Sequence, residues 1–202
     1  EQIEHAIRFY FLLPKLDKFD HVQLINSDVL ASFPWVSRWL YRKLFQNVKS
    51  RSLLICGDET PVIDYLLKKE LSYSIVTPFF EDATLKNHFY YPVKYTQPSY
   101  RKTFEWLAQN CQSMTTSDMD YKIPMERMGF DAPLIPNPVN CEKIPFETKS
   151  NLEPVVIFLG INRGSYIKKG IPYFEEALAE IEKKYGNKVT ISVCENQPYE
   201  AY

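Results

Sequence analysis

Short strand-like runs alternate with helix-like segments along most of this chain, and turn-forming Gly, Asn and Pro punctuate them. Asp20–Asn26, Ser52–Cys56, Ser113–Thr116, Pro133–Ile135, Val155–Leu159 and Val189–Val193 read as strands. Helices are expected at about Pro34–Asn47, Asp64–Leu71, Arg101–Asn110, Met119–Met128 and Pro172–Tyr185. That order favours a parallel sheet with helices on both faces, so the fold class is α/β. Gly129 is placed to end the helix before it, and Pro172 suits a first helical turn. Ile3–Leu13 reads as a helix that Pro14 interrupts. Thr77–Tyr100 is aromatic and proline-bearing without a period, and reads as an irregular or partly helical excursion.

Composition narrows the function classes. A hydrophobic fraction of 45% with a net charge of −1 describes a core-forming chain rather than a disordered one. The same near-neutral charge argues against a general nucleic-acid binder, which needs a basic surplus on its binding face. Cys56, Cys111, Cys141 and Cys194 form no C-x-x-C pair, so buried free thiols are expected rather than a zinc or redox site. His5, His21 and His88 show no metal-ligand spacing, and no metal site is expected. No G-x-G-x-x-G follows a strand, which argues against an NAD-type oxidoreductase. Without a signal peptide or a bilayer-length apolar run, the chain reads as cytoplasmic.

A seam lies in the last third. Pro133–Asn140 (PLIPNPVN) leads through a polar connector into Val155–Gly160, an apolar strand read as ending in glycine. Arg163, Lys168, Lys169 and Gly170 follow, and then a helix. Such an order can build a phosphate site from backbone N–H groups and a helix N-terminus. The expected domains are 1–147 and 148–202. The second holds one βαβ unit, which cannot bury a core by itself, so a fragment of a larger protein is expected.

Three stretches together carry a family resemblance: Met114–Ser117 (MTTS), Met125–Phe130 (MERMGF) and the PLIPNPVN segment. With Val156–Gly160 (VIFLG), Arg163, Lys169-Gly170 and Ala177-Leu178, they resemble the retaining GT-B glycosyltransferases of group 1, or family 4. Phe19–Asn26 and Leu54–Asp58 resemble middle strands of that family's acceptor domain. The resemblance implies Rossmann-like parallel sheets of the GT-B type, comprising an acceptor domain incomplete at its N-terminus and the first βαβ unit of a donor domain. It implies transfer of sugar, with retention, from a nucleotide-sugar donor to a saccharide or lipid-linked acceptor in cell-surface polysaccharide synthesis. The nucleotide-sugar is a co-substrate, and no cofactor is implied. The family places Arg directly after the glycine, whereas Ile161 and Asn162 intervene here. Its Glu-x7-Glu pair would lie beyond Tyr202, so the chain is expected to be inactive by itself.

On that reading Arg163, Lys169, Lys168, Gly160 and Gly170 bind the donor diphosphate, with Gly160 letting the backbone approach the ligand. A solvated basic loop is the alternative. Strand ends in doubly wound sheets face ligands, which places Asn26, Ser27, Gly57, Asp58 and Ser117 along an acceptor cleft. Turn and capping roles fit Asp58 and Ser117-Asp118 equally, and no residue is assigned as catalytic. Phe33–Phe45, followed by Lys49 and Arg51, mixes aromatic and basic residues without an acid. Either it packs Trp35, Trp39 and Leu40 into the core under a solvated basic face, or it rests on an anionic membrane surface. A Rossmann-like binding or interaction module without chemistry is the rival to the enzyme reading.

Overall fold

A computed structural model describes residues 1–16, 18–143 and 154–197. Its described residues form two compact units: Glu1–Ser72 with Tyr90–Pro138, and Tyr73–Phe89 with the part from Val139 onward. The boundary expected between 147 and 148 lies outside the described residues. Tyr73–Phe89, expected in the first domain, belongs to the second unit.

The first unit contains α1 (Gln2–Leu16), β1 (His21–Ile25), α2 (Pro34–Leu44), β2 (Ser50–Ile55) and α3 (Thr60–Leu67). After an excursion that includes α4 (Thr77–Glu81), it continues with α5 (Tyr90–Val93), α6 (Pro98–Asn110), β3 (Ser113–Thr116) and α7 (Met119–Arg127). The strands form a parallel sheet in the order β1-β2-β3, in which Leu24 lies opposite Leu53 and Leu53 opposite Met114. The expected strand at Pro133–Ile135 is reduced to one parallel bridge, Leu134 with Thr116. Prolines at 133 and 136 cannot donate to a ladder, which limits the pairing.

Leu24, Leu53 and Ile55 of the sheet share one core with Leu40, Tyr41 and Leu44 of α2, Phe104 and Leu107 of α6, and Met125 of α7. Burying each such side chain contributes about 1.5–3 kcal/mol. Helix ends follow local chemistry. Asp118 caps α7 by accepting from the Asp120 N–H at 2.9 Å. Gly129 then stops α7 at φ +84°, with Gly129 N bonded to Glu126 O and Phe130 N to Met125 O. Those two bonds are a Schellman closure, and the left-handed residue it requires is why glycine stands there.

Several element boundaries differ from expectation, and α6 for one starts at Pro98 rather than Arg101. Helix α1 runs through Pro14 to Leu16, because Leu13 and Leu16 anchor its last turn on the core. Helix α2 stops at Leu44, where Phe45 and Val48 turn inward. Helix α3 begins at Thr60, four residues before the expected Asp64, because Glu59 caps it. Asp64 instead receives both terminal nitrogens of Arg101, at 2.5 and 2.9 Å, tying α3 to α6.

The second unit pairs β4 (Val155–Ile161) with β5 (Val189–Glu195) in parallel, connected through α8 (Ile171–Tyr185). Val155, Val156, Phe158 and Val193 of this two-stranded sheet are exposed. Two strands by themselves are marginal in water, so the sheet depends on what packs against it. The cysteines are unpaired as expected, but none of the four is buried and Cys141 is exposed. Among the described residues no helix is long and apolar enough to cross a membrane.

Candidate functional site

At the C-terminal ends of β1 and β2 the first unit gathers a buried polar network. Asn26 takes φ +78°, a left-handed conformation that Asn tolerates. Its side-chain amide donates to Asp58 O at 2.5 Å, and its Oδ1 accepts from Asp28 N at 2.7 Å. Beside it, Glu59 is fully buried. Glu59 Oε2 accepts from Ser27 N at 2.8 Å, while Oε1 accepts from Ser27 Oγ at 2.7 Å and Thr60 N at 3.0 Å. Burial pushes the Glu59 carboxyl up to about 7, against the pull of these three donors toward the ionised form.

A second charge pair closes the network. Lys94 Nζ lies 2.7 Å from Asp28 Oδ2, and both side chains are nearly buried. The ammonium also sits 3.7 Å from the ring centroid of Tyr91, with Tyr95 and Tyr100 at 5.2 and 5.3 Å. Burial lifts the Asp28 carboxyl, opposed by Lys94. Burial lowers Lys94, but its bond to Asp28 and the neighbouring charges carry it above its ordinary value. The ring faces add to this, since they stabilise the ammonium and not the neutral amine.

This geometry redistributes the expected cleft residues. Ser27 is buried with its hydroxyl committed to Glu59, and Ser117 is buried with its N–H bonded to Ile55 O. The Ser27 hydroxyl is thereby taken up by Glu59. Asn26 shapes the loop. Gly57 and Asp58 are half-buried, and Asp118 is exposed. The charges of Asp118 and Asp58 reach the Tyr121 hydroxyl, which burial raises first. Burial, followed by the Asp118 and Glu59 charges, also raises the Cys56 thiol. The accessible edge is therefore Cys56, Asp58, Asp118 and Tyr121. Glu59 and Lys94 were absent from the expected site, although Pro61 in the first turn is a legible helix-start signal beside Glu59.

In the second unit the turn after β4 holds the expected phosphate residues. The strand does not end at Gly160: it continues to Ile161, and Gly160 pairs with Cys194 inside the ladder. Arg163 is held by Glu195 in a bidentate pair, Nε to Oε1 at 2.5 Å and Nη2 to Oε2 at 2.7 Å. Its guanidinium lies 4.8 Å from the Tyr166 ring centroid, and Tyr166 donates to Glu175. A hollow of about 300 Å³ is lined by His88, Arg163, Ser165, Tyr166, Ile167 and Lys168. Lys169, expected beside Arg163, is exposed outside that lining.

The start of α8 differs from a helix-terminus anion site. Ile171 N bonds to Tyr166 O, Pro172 has no N–H, and Tyr173 N bonds to Gly170 O. Those donors already have partners, so an anion here rests on side chains. Gly170 has φ +66°, and a Cβ on it would sit 2.7 Å from Tyr73 Oη. Gly170→Ala is therefore expected to weaken α8 locally by about 1–2 kcal/mol, mostly from the left-handed backbone. Hydrogen exchange of the α8 amides checks this, and unchanged protection would contradict it.

Among the described residues no group of His, Cys, Asp and Glu is placed to hold a metal ion. No family model matches the chain, and no curated protein or solved structure matches it.

Proposed function

We propose that the chain is part of a GT-B-type glycosyltransferase that moves sugar from a nucleotide-sugar to a saccharide or lipid-linked acceptor, with peripheral contact with a membrane. The observation that carries the reading is the hollow after β4, where Arg163, Lys168 and His88 converge at the end of a parallel strand. Ligands of α/β sheets sit at such strand ends. A departing nucleoside diphosphate accumulates negative charge, so cations aimed at it stabilise the transition state more than the ground state. Glu195 holds the Arg163 fork in the bidentate geometry that a phosphate also offers. Diphosphate binding then exchanges one bidentate partner for another. Asp58 and Asp118 follow β2 and β3, and on this reading they face the acceptor.

The same Arg163–Glu195 pair supports a second reading, a non-catalytic α/β binding module whose loop is already neutralised. Calorimetric titration with UDP, GDP and inorganic pyrophosphate separates the two. The proposal expects binding that falls about tenfold or more, 1.4 kcal/mol per decade, in Arg163→Ala/Lys168→Ala. It also expects Glu195→Gln to bind more tightly, because Arg163 is released. Binding that both variants leave unchanged would remove the loop from the site, and no binding of any of the three would favour the module.

A further inference from the structure

Helix α1 carries more apolar surface than the core uses. Ala6, Phe9, Leu13 and Leu16 pack inward. Ile3, Ile7, Tyr10 and Phe11 stay outside, with Phe11 72% exposed. Spacings of three and four gather these outer residues on one face. Helix α2 adds Phe33, Trp35 and Trp39 beside them, and Trp35 is 64% exposed. Tyr10 stacks on Trp39, with centroids 5.8 Å apart and planes 17° from parallel. The two helices bound a groove of about 680 Å³ lined only by apolar and aromatic side chains. An exposed patch of this kind marks an interaction surface.

Charge identifies the occupant. Residues 33–51 carry Arg38, Arg42, Lys43, Lys49 and Arg51 and no acid of their own, but Lys49 pairs with Asp20 and Arg51 bonds to Gln112 and Phe45 O, while on α1 Arg8 pairs with Glu4. Lys43 lies one helical turn beyond Trp39, and Lys15 one turn beyond Phe11, so cations continue both apolar stripes. Arg38 donates to Thr103, and the Arg42 guanidinium lies 5.5 Å from the Trp106 ring centroid, which holds both on the α6 side of α2. In a two-fold pairing of copies through this face, the basic rim would meet itself. A bilayer with anionic headgroups answers both parts of the surface. Aromatic rings favour the interface, and Lys and Arg reach lipid phosphates over buried stems.

We propose that the α1–α2 face docks this chain on an anionic bilayer, with Ile3, Phe11 and Trp35 entering the acyl boundary and Lys15 and Lys43 meeting lipid phosphates. The docking rests on one face of the first unit and is independent of any sugar transfer.

Co-sedimentation with vesicles, together with tryptophan emission, tests it. Two of the three tryptophans, Trp35 and Trp39, lie on this face, so a blue shift reports its insertion. Binding is expected to phosphatidylcholine vesicles containing about one-third phosphatidylglycerol, and not to pure phosphatidylcholine. Lys15→Glu/Lys43→Glu is expected to weaken it about tenfold or more, as is raising the salt to about 0.5 M. Phe11→Ser/Trp35→Ser is expected to remove insertion while thermal unfolding stays unchanged, since both side chains are exposed. No partition into anionic vesicles overturns the proposal, as does equal binding to neutral ones. Sedimentation equilibrium showing a dimer that the Phe11 and Trp35 substitutions dissociate assigns the face to a second copy and overturns it too.

Discussion

Replacing Glu59 with alanine is expected to destabilise the chain by about 3–5 kcal/mol, because three donors lose their only carboxylate in a buried site. Ser27 N, Ser27 Oγ and Thr60 N all point at it, and its position is fully buried. Domains are stable by roughly 5–15 kcal/mol, so this is a large share. Urea unfolding measures it, and a loss below about 1 kcal/mol would show that the network is dispensable. The same residue sets a pH dependence. Its folded value of about 7 lies above its ordinary 4.5. The native state therefore keeps a proton that the unfolded chain has lost between those values, and stability falls as pH rises from about 4.5 to 7. The full span is about 3 kcal/mol. Glu59→Gln, which carries no titrating group, is expected to flatten that slope, and an unchanged slope would move its origin to another group.

Lys94→Met is expected to cost about 3–5 kcal/mol at neutral pH, because it strands the Asp28 carboxylate in a nearly buried site. Without its cation Asp28 takes up a proton more readily, so the deficit should shrink as the pH is lowered. Asp28→Asn/Lys94→Met removes both charges and is expected to recover more than half of the loss. The double-mutant cycle supplies the coupling directly. If the double variant is as unstable as Lys94→Met, the contribution of Lys94 lies in its contacts with Tyr91, Tyr95 and Tyr100 rather than in the ion pair.

The two networks also separate what is local from what is not. Glu59 stands immediately before Thr60-Pro61, where Pro61 in the first turn marks the helix start locally, although expectation started the helix four residues later. Its partner Ser27, by contrast, lies 32 positions away. Lys94 sits in an aromatic stretch without a period, 66 residues from Asp28. No spacing rule joins them. The loop after β4 behaves likewise. Its cations are visible in sequence, but the Glu195 that occupies Arg163 lies 32 residues on, at the end of β5. The groove on α1 depends on which of two apolar stripes the core takes, and the helical period of α1 does not choose between them.

By itself the sequence determined the alternation of strands and helices, the Ser113–Thr116 strand to the residue, and the glycine that closes α7. These follow from side-chain period and turn chemistry, which act over a few neighbouring residues. Tertiary structure decided that Ser27 is buried under Glu59, that Lys94 pairs with Asp28, that Glu195 holds Arg163, and that Phe11 and Trp35 remain outside. Those outcomes depend on burial and on contacts between residues brought together by the path of the chain, and neither is encoded in any short window.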